Sequence, residues 1–360
     1  MTPGKGNHGN PHTIPGTSKI AKVLFILKKR TMPFYNSMTG EYSTSSGLLN
    51  SASFVVAMLN EQPHIEAILE QVVDNNDIDR LVTQHQPTHV CIEALWVVPS
   101  KFSVLTQLHP TVQWIVRYHS EIPFLALEGV ALEWTLEYLQ HPNVTIAPNS
   151  GVLFTDLQRL ALLVGGVDQI KYLPNYYPID TLRLPHPKTD HTLDIGCFGA
   201  IRPLKNQLIQ ALAAVEFARL HNVPLRFHVN GSRVESGSTV LKNIRALFAG
   251  LPADYELVEH DWLDHTEFVD LVRSMDLGMQ VSFTETFNIV TADFVANGVP
   301  VVASEAIRWL DPDSWADPDS VPSILEAMRR AFRGQTARRN RENLVLYNAN
   351  TILTWRNYLL

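Results

Sequence analysis

Two cations and two carboxylates in the second half of the chain have the types and spacing to do chemistry. In Gly196-Cys-Phe-Gly-Ala-Ile-Arg-Pro-Leu-Lys-Asn206 an apolar run ends at Gly199, and Arg202 and Lys205 follow before and at the opening of an expected helix. Free N–H groups at a helix start, with basic side chains beside them, make an anion site, and a diphosphate is its natural ligand. A solvated loop with two ordinary basic residues is the plainer reading of the same segment. Further on, Glu285 stands at the start of another expected helix, and Asp293 lies eight residues later in an otherwise apolar stretch that Gly298 ends. Eight residues of helix rise about 12 Å and turn roughly 80° beyond two full turns, so both carboxylates can serve one elongated ligand. Phe287, Ile289, Val290, Phe294 and Val295 leave little of this helix for solvent, so an acid at position 293 needs a partner. The alternative has Glu285 merely capping the helix and Asp293 pairing with a structural arginine. In the first half, His119 closes the apolar run that begins at Trp114, with Arg117 and Glu121 beside it.

The elements that must position these residues read as two successive β-α alternations. Strands are expected at 22–27, 67–73, 88–94, 114–119 and 143–147, with helical stretches at 48–60, 102–108, 131–139 and 153–163. Prolines 174, 178, 185 and 187 then interrupt the chain, which places a domain boundary near residue 182. The pattern restarts with strands at 194–198, 225–229, 255–259, 277–281 and 300–303, and helices at 204–220, 239–248, 267–274 and 286–296. A helical part runs from about residue 324 to the end. The strands are near-continuously apolar rather than alternating, which implies parallel sheets covered on both faces. The fold class is therefore α/β, with two Rossmann-like, doubly wound domains facing each other across a cleft. Ligands of such sheets bind beyond the carboxyl ends of the strands. Asn149 and Ser150, after the fifth strand, face that cleft by order alone.

Composition sets outer bounds. The chain has 360 residues, 45% hydrophobic and 18% charged, enough apolar material for two cores. Its formal charge of −7 excludes a global basic field for nucleic acid, though Arg329, Arg330, Arg333, Arg338, Arg339 and Arg341 form a local basic cluster. Cys91 and Cys197 lie in apolar runs and cannot form a disulfide framework, which suggests a reduced, cytoplasmic setting. No transmembrane segment is expected, and residues 1–18 read as a flexible tail without the apolar core of a signal peptide. Nothing in the sequence sets the oligomeric state.

The segment from Glu285 resembles the donor-site signature of retaining GT-B glycosyltransferases of the family 4, or group 1, type. That signature is an acid, seven residues, a second acid, then A-x-G-x-PVV; here it reads Glu285, seven residues, Asp293, then Ala296-Asn-Gly-Val-Pro-Val-Val302. Asp293 stands where the family usually has Glu, one methylene shorter. Leu173-Pro-Asn-Tyr-Tyr-Pro-Ile-Asp180 resembles the family's interdomain PNGVD, with Tyr176 replacing Gly, and Thr354-Trp355 resembles its Trp-containing last helix. The resemblance covers about 190–310 well and the first domain in outline. It implies a tail at 1–18, an acceptor-side domain at 19–182, a nucleotide-sugar domain at 183–340, and a helix at 341–360 returning to the first domain.

By position, the resemblance assigns Arg202 and Lys205 to the donor diphosphate and Glu285 to hydroxyls of the donor sugar. Gly199 belongs to the phosphate-binding segment. Backbone amides around Thr286, Phe287 and Asn288 face the sugar or phosphates, and Asp293 binds the nucleotide ribose. Trp262 and Leu263 lie where the base sits; Trp262 either stacks on it or is plain core. His119 lies near the donor sugar. Ser45, Ser46 and Gly47, before a helix, correspond to an acceptor loop, with Glu121 on the same side. The implied activity is transfer of a sugar from a nucleotide-diphosphate sugar, its donor substrate, with retention, without a metal and with no other cofactor. The acceptor is a saccharide, a lipid-linked molecule or DNA. Alternatives are a viral-type DNA-base (hydroxymethylpyrimidine) glycosyltransferase, an epimerase or phosphorylase on the same scaffold, and a non-catalytic sugar-nucleotide-binding module.

Other signals point elsewhere or nowhere. Asp311-Pro-Asp313 matches a metal-binding DxD only superficially, since it lies in a Pro-rich loop and reads as a turn. His260 and His265 lack the partners of a zinc site. No GxGxxG follows the first strand and no GxxxxGK[ST] occurs, against a standard dinucleotide site or P-loop kinase.

Overall fold

Strand β1 (Ala21–Lys28) shows why the apolar runs are continuous. Leu24 and Ile26 point to one face of a sheet and Val23 and Phe25 to the other, and all four are fully buried. The first face packs on Val90, Ile92, Trp114 and Val116 under one layer of helices; the second packs on Cys91 and Ile115 under another. A two-residue antiparallel pair, β2 (Phe34–Tyr35) and β3 (Tyr42–Ser43), follows. The sheet is completed by β4 (Ile65–Val72), β5 (His89–Glu93), β6 (Gln113–Tyr118) and β7 (Val144–Pro148), all parallel, in the order β4-β1-β5-β6-β7. Its helices are α1 (Gly47–Asn60), α2 (Asp77–His85), α3 (Pro99–Leu108), α4 (Ile122–Leu125), α5 (Ala131–Tyr138) and α6 (Gly151–Val164). The computed structural model describes residues 21–29, 34–35, 42–43, 47–179, 185–234 and 239–360. The tail at 1–18, the boundary near 182 and the candidates Ser45 and Ser46 lie outside the described residues.

The second domain repeats the plan. Strands β8 (Leu193–Gly196), β9 (Leu225–Asn230), β10 (Tyr255–His260), β11 (Leu277–Gln280) and β12 (Val301–Ala303) form a parallel sheet in the order β10-β9-β8-β11-β12. Helices α7 (Gln207–His221), α8 (Thr239–Ala249), α9 (His265–Arg273), α10 (Ile289–Ala296) and α11 (Val321–Phe332) cover it. Helix α10 lies directly on the sheet. An added Cβ at Gly278 would sit 2.6 Å from the Phe294 ring and one at Gly196 2.9 Å from it, so both central strands need glycine at that point. Helix α12 (Thr336–Leu359) begins on this domain and ends on the first: Leu344 joins the Phe287–Phe294 core, whereas Trp355 packs 5.7 Å from Phe25. No described helix is long and apolar enough to cross a membrane.

Three sequence expectations need correction. The helix expected at 286–296 starts at Ile289; Asn288, at φ 56°, caps it by accepting from the Thr291 amide at 2.9 Å, which leaves Glu285 on a loop. The helix expected at 204–220 breaks at Asn206, whose φ of 59° separates a 3₁₀ turn (Pro203–Lys205) from α7, so Lys205 precedes the helix. Helices α2 and α4 escape the sequence reading: both are short, and Glu121 is the residue before α4.

The arginine cluster is largely engaged within the chain. Arg339 pairs with Asp311 and Asp313, Arg330 donates to the Asp313 and Trp315 carbonyls, and Arg341 donates to the Ala296 carbonyl. Arg329 and Arg338 face Glu326 and Glu342 on their own helices. Asp311 and Asp313 thus form the turn expected and hold Arg339.

Candidate functional site

The carboxyl ends of both sheets open onto one cavity of about 480 Å³. On the first domain its wall rests on a buried charge network. Glu93 and Arg117, the last residue of β5 and the fifth of β6, have fully buried side chains. Arg117 Nη1 donates to Glu93 Oε1 at 2.9 Å, and Nη2 donates to Asn175 Oδ1 at 2.7 Å and to the Leu173 carbonyl at 3.2 Å. Burial alone would raise the Glu93 carboxyl; Arg117 and His119 outweigh it and bring its pKa down to about 2. His119 Nε2 lies 2.7 Å from Glu93 Oε2, and its Nδ1 lies 3.3 Å from Asn149 Nδ2. These partners assign the neutral tautomer in which Nε2–H donates to Glu93 and Nδ1 accepts from Asn149. Burial lowers the imidazole's pKa despite the carboxylate beside it. His119 is therefore a fixed, neutral group.

The second domain contributes loops rather than strand ends. Gly199, at φ 107°, turns the chain after β8, with its amide donating to Asn230 Oδ1 at 2.8 Å. Buried amides hold the loops that follow: Gln280 donates to the Phe198 carbonyl at 3.0 Å, Asn288 to Gln280 at 2.9 Å, and Asn206 to the Val281 carbonyl at 3.0 Å. On this frame the Lys205 ammonium contacts the Glu285 carboxylate, both lining the cavity. Arg202 reaches across to the first domain, its guanidinium 4.8 Å from the Phe124 ring centre. Thr286 closes the join: its hydroxyl donates to the His119 carbonyl at 3.2 Å and accepts from Asn149 Nδ2 at 3.3 Å.

A third part of the wall gathers around Asp293. This acid is buried and does have partners, although neither is an arginine: Oδ1 accepts from the Tyr177 hydroxyl at 2.6 Å and from His265 Nε2 at 2.8 Å. Nearby, the Arg233 guanidinium lies 4.5 Å from the centre of the half-buried Trp262 ring. Trp262 lines the cavity and is not plain core.

Of the residues singled out from the sequence, Gly47, His119, Glu121, Gly199, Arg202, Lys205, Trp262, Leu263, Glu285, Thr286, Asn288 and Asp293 all border this one cavity. Phe287 does not: its ring is in the core, stacked 5.2 Å from Tyr347 and 5.7 Å from Trp309. The resemblance assigns its backbone amide, not its ring, to the donor. Sequence reasoning missed Glu93, Asn175, Tyr177 and the site role of His265. A carboxylate ending the apolar run His89–Glu93 was the available signal for the first; the others come from the linker and a capped helix start. Among the described residues no three His, Cys, Asp or Glu side chains group as metal ligands.

No protein-family model matches the sequence, and no curated protein matches it significantly. Solved structures do resemble it. The N-terminal domain of trehalose-6-phosphate phosphatase from Candida albicans has a TM-score of 0.68 at 10% identity, with 99% of this chain and 98% of that one covered. The trehalose-6-phosphate structure from E. coli bound with UDP-2-fluoro glucose scores 0.64 at 10% identity, over 93% and 97% of the two chains. Sucrose-phosphate synthase from Thermosynechococcus elongatus scores 0.61 at 14% identity, over 94% and 98%. At these identities the likeness establishes the architecture: two facing parallel α/β domains of the GT-B type, as the sequence led us to expect.

Proposed function

We propose that the protein is a nucleotide-sugar-dependent glycosyltransferase. The observation that carries this reading is the placement of Arg202 and Lys205, beside Glu285, on a cavity whose opposite wall holds His119. A diphosphate leaving an anomeric carbon develops negative charge, and preorganised cations in a site screened from water stabilise it. The bond from the anomeric carbon to the diphosphate oxygen breaks, its electron pair leaving with the diphosphate; a bond to an acceptor hydroxyl oxygen forms, and the proton of that hydroxyl passes to the released diphosphate. Glu285 holds the Lys205 ammonium in place and is placed to take sugar hydroxyls. Thr286 ties the donor loop to His119, so the transferred sugar lies between the two domains. The E. coli relative bound with UDP-2-fluoro glucose supports a nucleotide-sugar donor for this architecture.

The reading includes retention of anomeric configuration, which rests on the resemblance of the Glu285–Asp293 signature, and independence of a metal. Release of nucleoside diphosphate from UDP-, GDP- and ADP-sugars, with saccharide and lipid-linked acceptors and EDTA present, tests it. Turnover in EDTA that Lys205→Ala lowers on the order of 100- to 1,000-fold is expected. A strict, restorable Mg²⁺ or Mn²⁺ requirement contradicts the metal-free part. Binding without turnover with every acceptor favours a binding module instead.

A further inference from the structure

A second, smaller crevice of about 70 Å³ lies at the join between the domains and shares Glu121, Asn149 and Thr286 with the main cavity. Two residues on its border each carry a buried oxygen with no hydrogen-bond partner among the described residues, Glu121 Oε2 and Asn149 Oδ1. The residues themselves are 7% and 2% exposed. Their orientation is set. Ser150 Oγ accepts from the Leu153 amide at 3.1 Å, so its hydroxyl donates to Glu121 Oε1 and leaves Oε2 over. Asn149 Nδ2 faces both His119 Nδ1 and Thr286 Oγ1, which turns the amide oxygen away from them. An unpaired buried acceptor is costly, and two at one crevice call for a shared donor.

The side-chain donors around the crevice are committed elsewhere, with one exception. Thr286 donates to the His119 carbonyl, Trp309 Nε1 donates to the Phe287 carbonyl at 2.8 Å, and Tyr172 pairs with Tyr347. The exception is Arg308, an exposed residue of the second domain that borders the same crevice and has no hydrogen bond or ion pair among the described residues. Its neighbours Ile307 and Trp309 are buried, so the loop beneath it is anchored. Its charge already acts on Glu121: burial raises that carboxyl from its ordinary value, helped by Asp156, while Ser150 and Arg308 oppose the rise.

We infer that Arg308 is a positioning residue that straps the second domain to the first, its guanidinium entering the crevice and donating to Glu121 Oε2 and Asn149 Oδ1. A guanidinium presents several N–H groups in one plane and can serve both oxygens at once, which an ammonium point charge cannot match. With its oxygen held, Asn149 keeps its nitrogen on Thr286 and His119, and the loop that carries Glu285 stays docked on the first wall. The strap does not depend on the reaction; its effect on turnover rests on the glycosyltransferase reading.

Melting temperatures of the wild type, Arg308→Ala, Glu121→Gln and the double variant test the strap without any substrate. Glu121→Gln should lower the wild-type midpoint by roughly 2–4 °C. In the Arg308→Ala background the same substitution should leave the midpoint unchanged or raise it, because it then removes an unpaired buried carboxylate. Arg308→Lys, which keeps the charge and loses the fork, should recover part of the Arg308→Ala loss. A Glu121→Gln shift of the same sign and size in both backgrounds overturns the inference. A crystal structure of the wild type decides the point even if a variant misfolds: Arg308 within hydrogen-bond reach of both oxygens supports the strap, and ordered water on both with Arg308 in solvent overturns it. In the turnover assay, Arg308→Ala should lower kcat roughly five- to tenfold with the donor KM within about twofold, as expected of a group that positions without touching the donor. A raised KM with kcat unchanged would make Arg308 a donor contact and overturn the positioning role. Absence of turnover in the wild type removes the glycosyltransferase reading, and the melting and crystallographic results then decide the strap alone.

Discussion

The two walls of the cavity are built on opposite principles. On the first domain, charge is buried at strand ends: Glu93 and Arg117 have no exposed surface, and His119 is locked between Glu93 and Asn149. On the second, charge stands on loops: Lys205 and Glu285 keep 19% and 9% of their side chains exposed. A buried ion pair fixes geometry at the risk of stability, whereas a pair that keeps some exposed surface can exchange partners when a ligand arrives. In the proposed reaction, the first wall orients and the second wall grips.

Breaking each wall separately should give opposite phenotypes. The largest effect is expected from Glu93→Gln, which strands the buried Arg117 guanidinium and should cost about 3–5 kcal/mol of stability, read as a lower denaturation midpoint. Comparable loss of stability from Phe294→Ala, about 3–5 kcal/mol, marks the core as the reference for such an effect. Lys205→Ala should leave the melting temperature nearly unchanged while lowering turnover on the order of 100- to 1,000-fold, about 2.7–4 kcal/mol in the barrier. If Glu93→Gln proved harmless to folding, or Lys205→Ala unfolded the protein, the contrast between the walls would be lost.

A pH series sharpens the same contrast. His260 Nε2 faces His228 Nδ1 at 2.8 Å, and His228 Nε2 bonds Asp194 at 2.9 Å. Burial first, then the neighbouring His228, lowers the His260 pKa from 6.5 to about 4. The unfolded chain then takes up a proton that the folded one refuses, so this stability is complete above pH 6.5 and is lost as pH falls towards 4. Glu93, depressed from 4.5 to about 2, adds a second loss below pH 4.5. Melting temperature should therefore fall from pH 7 to pH 4, and His260→Gln should flatten the upper part of that slope. The smallest effect should come from Arg338→Ala: its side chain is 74% exposed and, among the described residues, meets only Glu342, so melting and turnover should match wild type.

Much of this was legible in the residues. The central strands β1, β5, β6 and β8 show as apolar runs because both faces of each sheet are covered there, and the ends of those runs lead directly to Gly199 and His119; the edge strand β10, with no fully buried residue, is not such a run. The acids and cations on the second domain's loops stand out because charge is conspicuous after a buried strand. What stayed hidden depends on long-range packing. Glu93 reads as part of a strand until Arg117, 24 positions later, is seen beside it. Tyr177 and His265 acquire meaning only where the linker meets α9 and α10. Periodicity extended two helices too far back, because apolar Leu204 and Phe287 continue the pattern while Asn206 and Asn288, both at positive φ, break the backbone.

The most direct test of the account is a thermal-shift titration of wild-type protein and Lys205→Ala with nucleoside diphosphates. We expect one diphosphate, at about 100 times its dissociation constant, to stabilise the wild type by about 2.7 kcal/mol, and Lys205→Ala to lose most of that shift at the same concentration. An equal shift in both proteins would contradict the assignment of the second domain's cations to the diphosphate.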